Sequence, residues 1–428
     1  MIHNMKTFFA ILLLLLAPAA GGAASPKAIP DFWAVRALQE IVQQQHSDMM
    51  SAQLAKLKLL YAPGVEAPRR VAEIRSDYLT RWARMRHITW TGITVTVRAP
   101  LIKVVSAHYV RFYALEREDY HYHYNDLPNV PLRFGIASRH YLAITKREGR
   151  WYFAADDWTN PVQPDDMAGQ TVPERIGGTP PQPGPLSTGR RAALEYANKY
   201  CGDAPGCGND MRYNPRYQDY NLNGGDCTNW ISQVLHAGGF PMTPTWRYDW
   251  DTQEGTAAWS NAGNLAAFLQ SSGHATEFAR GTYQAMTEPT AEWPDGAIET
   301  LIPGDLISYK QKGRIVHTAV VVGYDPKGVV LTNTHTNDRY QVPWDFGWGD
   351  KTIFFLWHVH YPHQLPLVVR GTWFGFARSR PIVLDPAEHE WIPRHTVDGV
   401  LHQAFSGQEV LAAVPDGADI YARPKWLS

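Results

Sequence analysis

Cysteine is scarce in this 428-residue chain, which has Cys201, Cys207 and Cys227 and no others. Three cysteines are too few for the dense disulfide framework of small secreted domains. They are also too few for a four-cysteine zinc site. Because the number is odd, at least one thiol in an exported chain would be left unpaired, and an unpaired thiol is a candidate nucleophile.

An excess of charge of either sign is also missing. The chain has 40 lysine and arginine residues against 41 aspartate and glutamate residues, for a formal net charge of -1. A protein that binds nucleic acid or an anionic membrane surface through its charge needs a basic excess. We therefore expect neither nucleic acid nor a charged membrane surface as a partner, and no cofactor signature stands out.

Only one long apolar run occurs, and it lies at the N-terminus. Lys6 precedes the apolar residues from Phe8 to Ala17, and small residues follow as far as Ala24. This order is typical of a secretory signal peptide rather than of a membrane span. We predict that residues 1–24 are a signal, that the protein is exported to the periplasm or secreted, and that no membrane span remains after removal of the signal.

The rest of the chain divides by pattern into four parts. Residues 26–160 show helical periodicity followed by strand alternation, which indicates an α+β domain. Residues 161–186 are rich in proline and predict an extended linker. Residues 187–363 combine helices and strands, and residues 364–428 form a β-containing extension to which no function is assigned. The order of elements in 26–160 weakly resembles that of cystatin-like and SnoaL-like α+β domains.

A glycine-hinged turn places Cys227 at the start of a predicted helix. After Gly224, Gly225 and Asp226, apolar residues recur at the spacing of one helix face, namely at Trp230, Ile231, Val234 and Leu235. A thiol at a helix N-terminus faces free N–H groups, which lower its pKa from about 8.5. Cys227 is thus the candidate nucleophile, and the alternative is a buried structural cysteine.

The other two cysteines enclose a turn-forming segment, Gly-Asp-Ala-Pro-Gly. Such a turn can bring the Cα atoms of Cys201 and Cys207 within disulfide distance. We predict this disulfide and a free Cys227, and three unlinked buried thiols are the alternative.

A thiolate needs a base, and His317 is the candidate. It lies in the predicted strand 314–323, whose other residues are mostly β-branched and apolar. The next strand places Asn333 and His335 on one face by its two-residue period, so that either side chain could orient the His317 ring. A core histidine with satisfied hydrogen bonds is the alternative.

These segments together resemble the putative amidase domain family. The resemblance covers about residues 189–361 and rests on six blocks in order: Gly225–Gln233, Gly238-Gly239, Trp259–Ala262, Pro303–Ile307, His317–Val321 and Thr334–Thr336. That family is similar to the NlpC-type cell-wall peptidases of the papain-like superfamily. The resemblance implies a papain-like catalytic domain in which Cys227 is the nucleophile, His317 the base and His335 the third polar residue, with Asn333 as the alternative third residue.

Neighbouring residues are candidates for oxyanion and substrate contacts. The Cys227 N–H is one expected oxyanion donor, and Tyr217, Tyr220 and Asp226 lie close to it in sequence. An aromatic run that includes Trp246 and Trp259 either recognises substrate or covers the core.

The resemblance implies an exported, cysteine-dependent amide hydrolase whose substrates are peptides, with cell-wall peptide stems as the expected example. An acyltransferase on the same scaffold and a non-catalytic binding protein are the alternatives. The histidine groups at 121–123 and 358–363 have no adjoining carboxylate or cysteine set, so no metal is expected there. Residues 26–160 are expected to position or recognise substrate, and a fragment starting near Leu186 is then expected to retain turnover.

Overall fold

A computed structural model describes residues 32–159, 184–349 and 351–362, together with the backbone of four short strands further on. These strands are His395–Val397, Val400–Phe405, Gln408–Ala413 and Arg423–Pro424, which pair in chain order as an antiparallel sheet. The predicted signal, most of the predicted linker and most of the predicted extension lie outside the described residues. No helix among the described residues is both long and apolar enough to cross a membrane.

The first segment has three helices followed by four strands. The helices are α1 (Phe32–Met50), α2 (Leu54–Lys58) and α3 (Glu66–Met85), and the strands are β1 (Ile88–Ser106), β2 (Tyr109–Tyr124), β3 (Leu132–Arg147) and β4 (Arg150–Thr159). The hairpin expected from the sequence is present, since Lys146 pairs with Trp151 and Ile144 with Phe153. The turn between them has Glu148 and Gly149 at positive φ, a conformation that glycine adopts without strain.

The second segment begins with helices and ends with strands. Its helices are α4 (Thr188–Lys199), α5 (Gly208–Met211), α6 (Cys227–Ala237), α7 (Ala257–Ser260), α8 (Ala262–Ser272) and α9 (Tyr283–Thr287), with 3₁₀ turns at Asn221–Asn223 and Ala297–Thr300. Its strands are β5 (Tyr248–Asp249), β6 (Glu254–Gly255), β7 (Ala275–Gly281), β8 (Leu306–Gln311), β9 (Arg314–Tyr324), β10 (Val330–Thr334), β11 (Asp338–Pro343) and β12 (Ile353–Val359).

Strands from both segments form one sheet. Ten strands belong to it, in the order β1-β2-β3-β11-β10-β9-β8-β12-β7, with β4 paired to β3 outside this path. The two segments meet where β11 pairs antiparallel with β3, Asp338 opposite Ala137 and Tyr340 opposite Gly135. The α+β class is confirmed, and the sheet is built from antiparallel pairs.

One hydrophobic cluster also spans the two segments. Tyr120 and Phe134 of the first segment pack with Phe346 of the second, with ring centroids of Phe134 and Phe346 5.1 Å apart. A second cluster lies around α6 and includes Trp230, Trp246 and Trp259. Because burial of apolar surface is the main force that stabilises folding, the shared cluster makes the first segment part of the second segment's core.

Polar contacts reinforce this junction. Arg86 forms a buried ion pair with Asp345, and the Tyr78 hydroxyl accepts a 2.8 Å hydrogen bond from the N–H of Gly347. Although the sequence suggests two domains joined by a linker, the described residues share one sheet and one core cluster across that boundary.

Candidate active site

Cys227 is the first residue of α6, as the sequence predicts, and Asp226 is the N-cap. Gly224 and Gly225 precede them with φ of 102° and 118°, the left-handed region that favours glycine. A Cβ on Gly225 would lie 3.0 Å from the Oγ1 atom of Thr336. The glycine therefore lets the turn approach the end of β10 closely.

The donors at the start of α6 point at Thr336 rather than at the sulfur. The N–H groups of Asp226 and Cys227 donate to Thr336 Oγ1 over 2.6 and 3.0 Å. Thr336 itself has a φ of 82°, which is strained for a β-branched residue. A substrate oxygen would have to replace this hydroxyl to use the Cys227 N–H as an oxyanion donor.

The Cys227 side chain is 7% exposed. Burial raises the pKa of its thiol, against the lowering effect of hydrogen bonds to Thr228, the Thr318 backbone and Thr336. The lowered thiol pKa expected from the position of Cys227 at the helix start is therefore wrong. The physical reason is that desolvation disfavours the thiolate while the helix N-terminal donors are already bonded to a hydroxyl.

Cys227 alkylation should therefore depend steeply on pH. The thiolate is the reactive form, so the rate of modification by iodoacetamide should keep rising to a pH above about 8.5, the ordinary thiol pKa. Rates followed by mass spectrometry across a pH series measure this directly. A plateau reached near neutrality would instead reveal a stabilised thiolate.

The remaining cysteines form the disulfide that the turn sequence suggests. Cys201 and Cys207 are joined with their Cα atoms 5.6 Å apart, and Cys227 is a free thiol. Peptide mapping after alkylation without reductant should accordingly place label on Cys227 alone.

His335 pairs with the residue before the cysteine. Its Nδ1 donates to Asp226 Oδ2 over 2.6 Å, and its Nε2 donates to the Tyr200 carbonyl over 2.7 Å. The ring is stacked between Tyr213 and Trp230, with centroids 4.2 and 4.8 Å away. With an acceptor at each nitrogen, the ring is held as an imidazolium.

The environment of His335 supports that charge state. Burial lowers its pKa, but the hydrogen bond and the charge of Asp226 outweigh burial and raise the pKa above its ordinary value. Asp226 is in turn fixed through its Oδ1, which accepts from the Tyr220 N–H and from Asn229 Nδ2. His335 thus anchors the turn that carries Cys227, and a protonated ring cannot act as a base.

The ion pair between His335 and Asp226 should stabilise the folded state in a pH-dependent way. Because the folded pKa of His335 is raised, its contribution is fully present below the unfolded pKa of about 6.5 and is lost as pH rises through the folded pKa. His335→Gln should cost about 3 kcal/mol at about pH 6 and distinctly less at about pH 10. Denaturant unfolding of both proteins at the two pH values provides the measurement, and an equal cost at both would contradict this assignment.

His317 lies in β9, and its ring faces residues of the hydrophobic cluster that spans the two segments. Its Nε2 is 2.9 Å from the Thr334 hydroxyl, its Nδ1 is buried with no hydrogen-bond partner, and its ring lies near those of Tyr309 and Trp348. Burial, followed by the charge of Arg339, lowers the pKa of His317 to about 3. The ring is therefore neutral near pH 7.

Neither residue expected to orient His317 contacts it. Asn333 faces α4, where its Nδ2 donates to the Ala197 carbonyl and to Asn198 Oδ1. Asn333 and His335 do share a strand face, as predicted, but alternation along β10 leaves Thr334 between them to meet His317. No sequence pattern marks Thr334 as the partner of His317.

Cys227 approaches both histidine-bearing strands through a neighbouring residue. The sulfur hydrogen-bonds the backbone of Thr318, next to His317, and the Cys227 N–H donates to Thr336, next to His335. Among the described residues, no hydrogen bond joins the sulfur to an imidazole nitrogen. Cys227 thus contacts the residue that follows each histidine-bearing position, and of the two imidazoles His317 is the one with a buried nitrogen that has no hydrogen-bond partner among the described residues.

A chain of buried polar contacts connects the first segment to this site. Arg139 of β3 donates to the Tyr213 hydroxyl over 2.7 Å, and that hydroxyl donates to the Asp338 carboxylate over 2.6 Å. The other end of this chain is the stacking of Tyr213 on His335. No local sequence pattern points to Arg139 or Tyr213, because their roles depend on the pairing of β3 with β11.

Two of the predicted substrate aromatics belong to the core. Trp246 and Trp259 are fully buried; their indole nitrogens donate to Ser232 Oγ and Asn229 Oδ1 on α6. The interpretation of these rings as a substrate surface is wrong, since they pack behind the nucleophile helix instead of lining a cleft.

The two candidate oxyanion or substrate tyrosines, Tyr217 and Tyr220, have different surroundings. The Tyr220 hydroxyl accepts from the Gly255 N–H over 3.0 Å and contacts the Gln253 carbonyl, so it holds a loop. Tyr217 is half-buried among Tyr248, Trp250 and Trp259, and burial raises the pKa of its hydroxyl to about 12. Tyr217 stays a candidate oxyanion donor in its protonated form.

Comparison with known proteins gives a partial identification. The model of the family described as "Putative amidase domain" matches residues 187–358. The "Uncharacterized protein YhbB" of Bacillus subtilis (strain 168) is 30% identical over 171 residues, which are 39% of this chain and 46% of that protein. The chain thus covers less than half the length of this relative. No solved structure matches. The resemblance of residues 187–358 to the putative amidase domain family is confirmed, and it supports amide hydrolysis.

Proposed function

We propose that this protein is an exported amide hydrolase that works through a covalent thioester on Cys227. The observation that carries the proposal is a single free thiol at a helix start, inside the segment that matches the amidase family. The thiol lies beside the strand that bears a neutral histidine. A binding module would need none of these groups together.

The reaction uses the groups in order. In the proposed reaction the His317 ring comes within hydrogen-bond distance of the sulfur, its Nδ1 accepts the thiol proton, and the sulfur attacks the amide carbonyl carbon. The carbonyl electrons move to oxygen, which replaces Thr336 Oγ1 as the acceptor of the Cys227 N–H. Collapse of this intermediate breaks the C–N bond, and His317 returns the proton to the leaving amine. Water then hydrolyses the thioester with His317 again as base, which restores the thiol.

Three properties of the site support this assignment of roles. His317 is neutral near pH 7, because burial disfavours its charged form, so one ring nitrogen is unprotonated when the thiol gives up its proton. His335 has acceptors at both nitrogens, so its role is to hold Asp226 and hence the Cys227 turn. The raised thiol pKa makes the thiol unreactive until a base receives its proton.

The cellular setting is part of the proposal. The N-terminal pattern of a charged residue, an apolar run and small residues is that of a signal peptide. The resemblance to cell-wall peptidases makes bacterial cell-wall peptide stems the substrate class. Incubation of the mature protein with purified peptidoglycan, followed by mass spectrometry of released fragments, tests the substrate directly. Equal release by a Cys227→Ser variant would count against it.

Replacement of His317 should separate the two histidines. His317→Ala should reduce turnover of a small amide by about a thousandfold, because a base that serves both half-reactions is lost. His360→Ala is the matched control, since the exposed side chain of this histidine contacts Thr276 and the Gly273 carbonyl, away from Cys227. Turnover by His317→Ala at the control's level, with both variants folded by circular dichroism, would remove His317 from the mechanism.

A further inference from the structure

A buried polar cluster in the first segment is not used by the proposed reaction. His46 of α1 faces Glu116 and Glu118 of β2, which are two residues apart and so project from one face of the strand. Their side chains are 1%, 1% and 0% exposed. Two carboxylates so far from solvent are costly unless a cation or hydrogen bonds compensate them.

The potential ligand atoms converge on one point. His46 Nε2 lies 3.5 Å from Glu118 Oε2 and 3.9 Å from Glu116 Oε2, and one ligand atom from each residue lies within 4.8 Å of the others. Nitrogen and oxygen ligands about 2.1 Å from a tetrahedral metal are separated by roughly 3.4 Å. The two distances from His46 are close to this value, and the largest separation that the cluster allows, 4.8 Å, would shorten as the ligands close on an ion.

The tautomer of His46 suits a metal ligand. Its Nδ1 lies 3.0 Å from the Val42 carbonyl, and only a protonated Nδ1 can donate to that oxygen. Nε2, the nitrogen left to bind a metal ion in place of a proton, faces the two carboxylates and is buried with no hydrogen-bond partner among the described residues. A backbone carbonyl bonded to the outer nitrogen is the usual support of a metal-bound imidazole.

Glu116 is the member with the least hydrogen-bond support. Both of its carboxylate oxygens are buried and have no hydrogen-bond partner among the described residues. His140 Nε2 lies 3.8 Å from Glu116 Oε2 and also contacts Ser138, while His140 Nδ1 contacts Asp156, so the charge of this one imidazole is shared between two carboxylates.

Glu118, by contrast, is already supported. Arg75 Nη2 donates to its Oε2 over 3.1 Å and the Tyr120 hydroxyl donates over 2.5 Å. Both donors bond Oε2 and orient the carboxylate, while Oε1, which has only Arg75 Nη2 at 3.4 Å, keeps lone pairs open to a metal ion.

We propose that His46, Glu116 and Glu118 bind a divalent transition-metal ion of the zinc type as a structural site. One imidazole and two carboxylates form a donor set that suits zinc or manganese. The near-zero exposure of all three ligands closes the site to substrate, as is usual for structural metals. Water would supply the fourth ligand. The ion would tie α1 to the sheet that also carries Arg139.

The test uses the full mature chain, purified without a metal-binding tag. Elemental analysis should find about one equivalent of metal, and chelation should lower the melting temperature by about 5 °C, with recovery on addition of Zn²⁺ or Mn²⁺. Glu116→Gln and His46→Gln should lose the metal and the response. The exposed His121→Gln on the same strand is the control that should retain both.

The opposite pattern would overturn the proposal. In that case the wild-type protein would contain no stoichiometric metal, and its melting temperature would not change with chelator, Zn²⁺ or Mn²⁺. The Glu116→Gln variant would also be more stable than the wild type, because a buried uncompensated carboxylate has been removed. Should either variant fail to fold, the metal content and the chelator response of the wild type decide the matter alone.

Discussion

Cys227→Ser should reduce amide turnover by about a thousandfold or more while leaving the melting temperature nearly unchanged. The exchange of sulfur for oxygen keeps the shape of the side chain, but a hydroxyl is a much weaker nucleophile at neutral pH. The side chain is buried at the start of α6, so circular dichroism should show no change in fold. Steady-state kinetics with a small chromogenic amide provide the measurement.

The other two cysteines give the control for this experiment. A Cys201→Ser/Cys207→Ser variant removes the disulfide and should be less stable by about 2 kcal/mol, since the closed loop is short. At a temperature where the variant is folded, it should keep most of its turnover. Cys227→Ser with full activity would disprove a thiol mechanism, whatever the control shows.

Deletion of residues 1–183 should abolish folding of the remaining chain. This reverses the expectation from sequence that a fragment starting near Leu186 retains turnover. The deletion removes β3, the neighbour of β11, and more than half of the shared hydrophobic cluster. It also removes Arg139 from the buried Asp338, a loss of about 3 kcal/mol when such a charge is left unpaired. Domains are typically stable by only about 5–15 kcal/mol, so the unpaired charge together with the lost apolar burial should be enough to unfold the remainder.

A cleaved but complete protein is the matched control. A protease site introduced between residues 160 and 183 would break the connection while leaving both segments present. The two pieces should then remain associated through the β3–β11 pairing and stay active after cleavage. Size-exclusion chromatography and turnover assays distinguish the outcomes, and a soluble, active 184–428 fragment would contradict the role assigned to the first segment.

Local patterns were sufficient for many elements. The apolar spacing after Cys227 predicts a helix, and α6 spans Cys227–Ala237. The β-branched run around His317 predicts a strand, and β9 covers Arg314–Tyr324. These predictions succeed because hydrophobic periodicity depends on neighbours within one element.

The junction between segments could not be read from the sequence. The pairing of β3 with β11 joins residues about two hundred positions apart, and nothing local in either strand specifies that partner. The proline-rich residues between the segments suggested independence instead. Tyr213 and Arg139 acquire their positions beside His335 only through this pairing.

The partners of the site residues were equally hidden. Strand alternation correctly placed Asn333 and His335 on one face. It could not predict which face of β9 carries the His317 side chain, and in the structure His317 hydrogen-bonds Thr334. The helix N-terminus suggested an acidic thiol, whereas Thr336 from another strand takes the N–H donors. Both differences arise from contacts between elements that single-sequence patterns do not contain.

The most direct test of the proposed chemistry is to trap the covalent intermediate. Acid quenching during turnover of a small amide or activated ester, followed by peptide mapping with mass spectrometry, should reveal the acyl group on the peptide that contains Cys227. The adduct should be absent in Cys227→Ser and should disappear with time as water hydrolyses the thioester. Turnover without any adduct on Cys227, and at an equal rate in Cys227→Ser, would contradict the account.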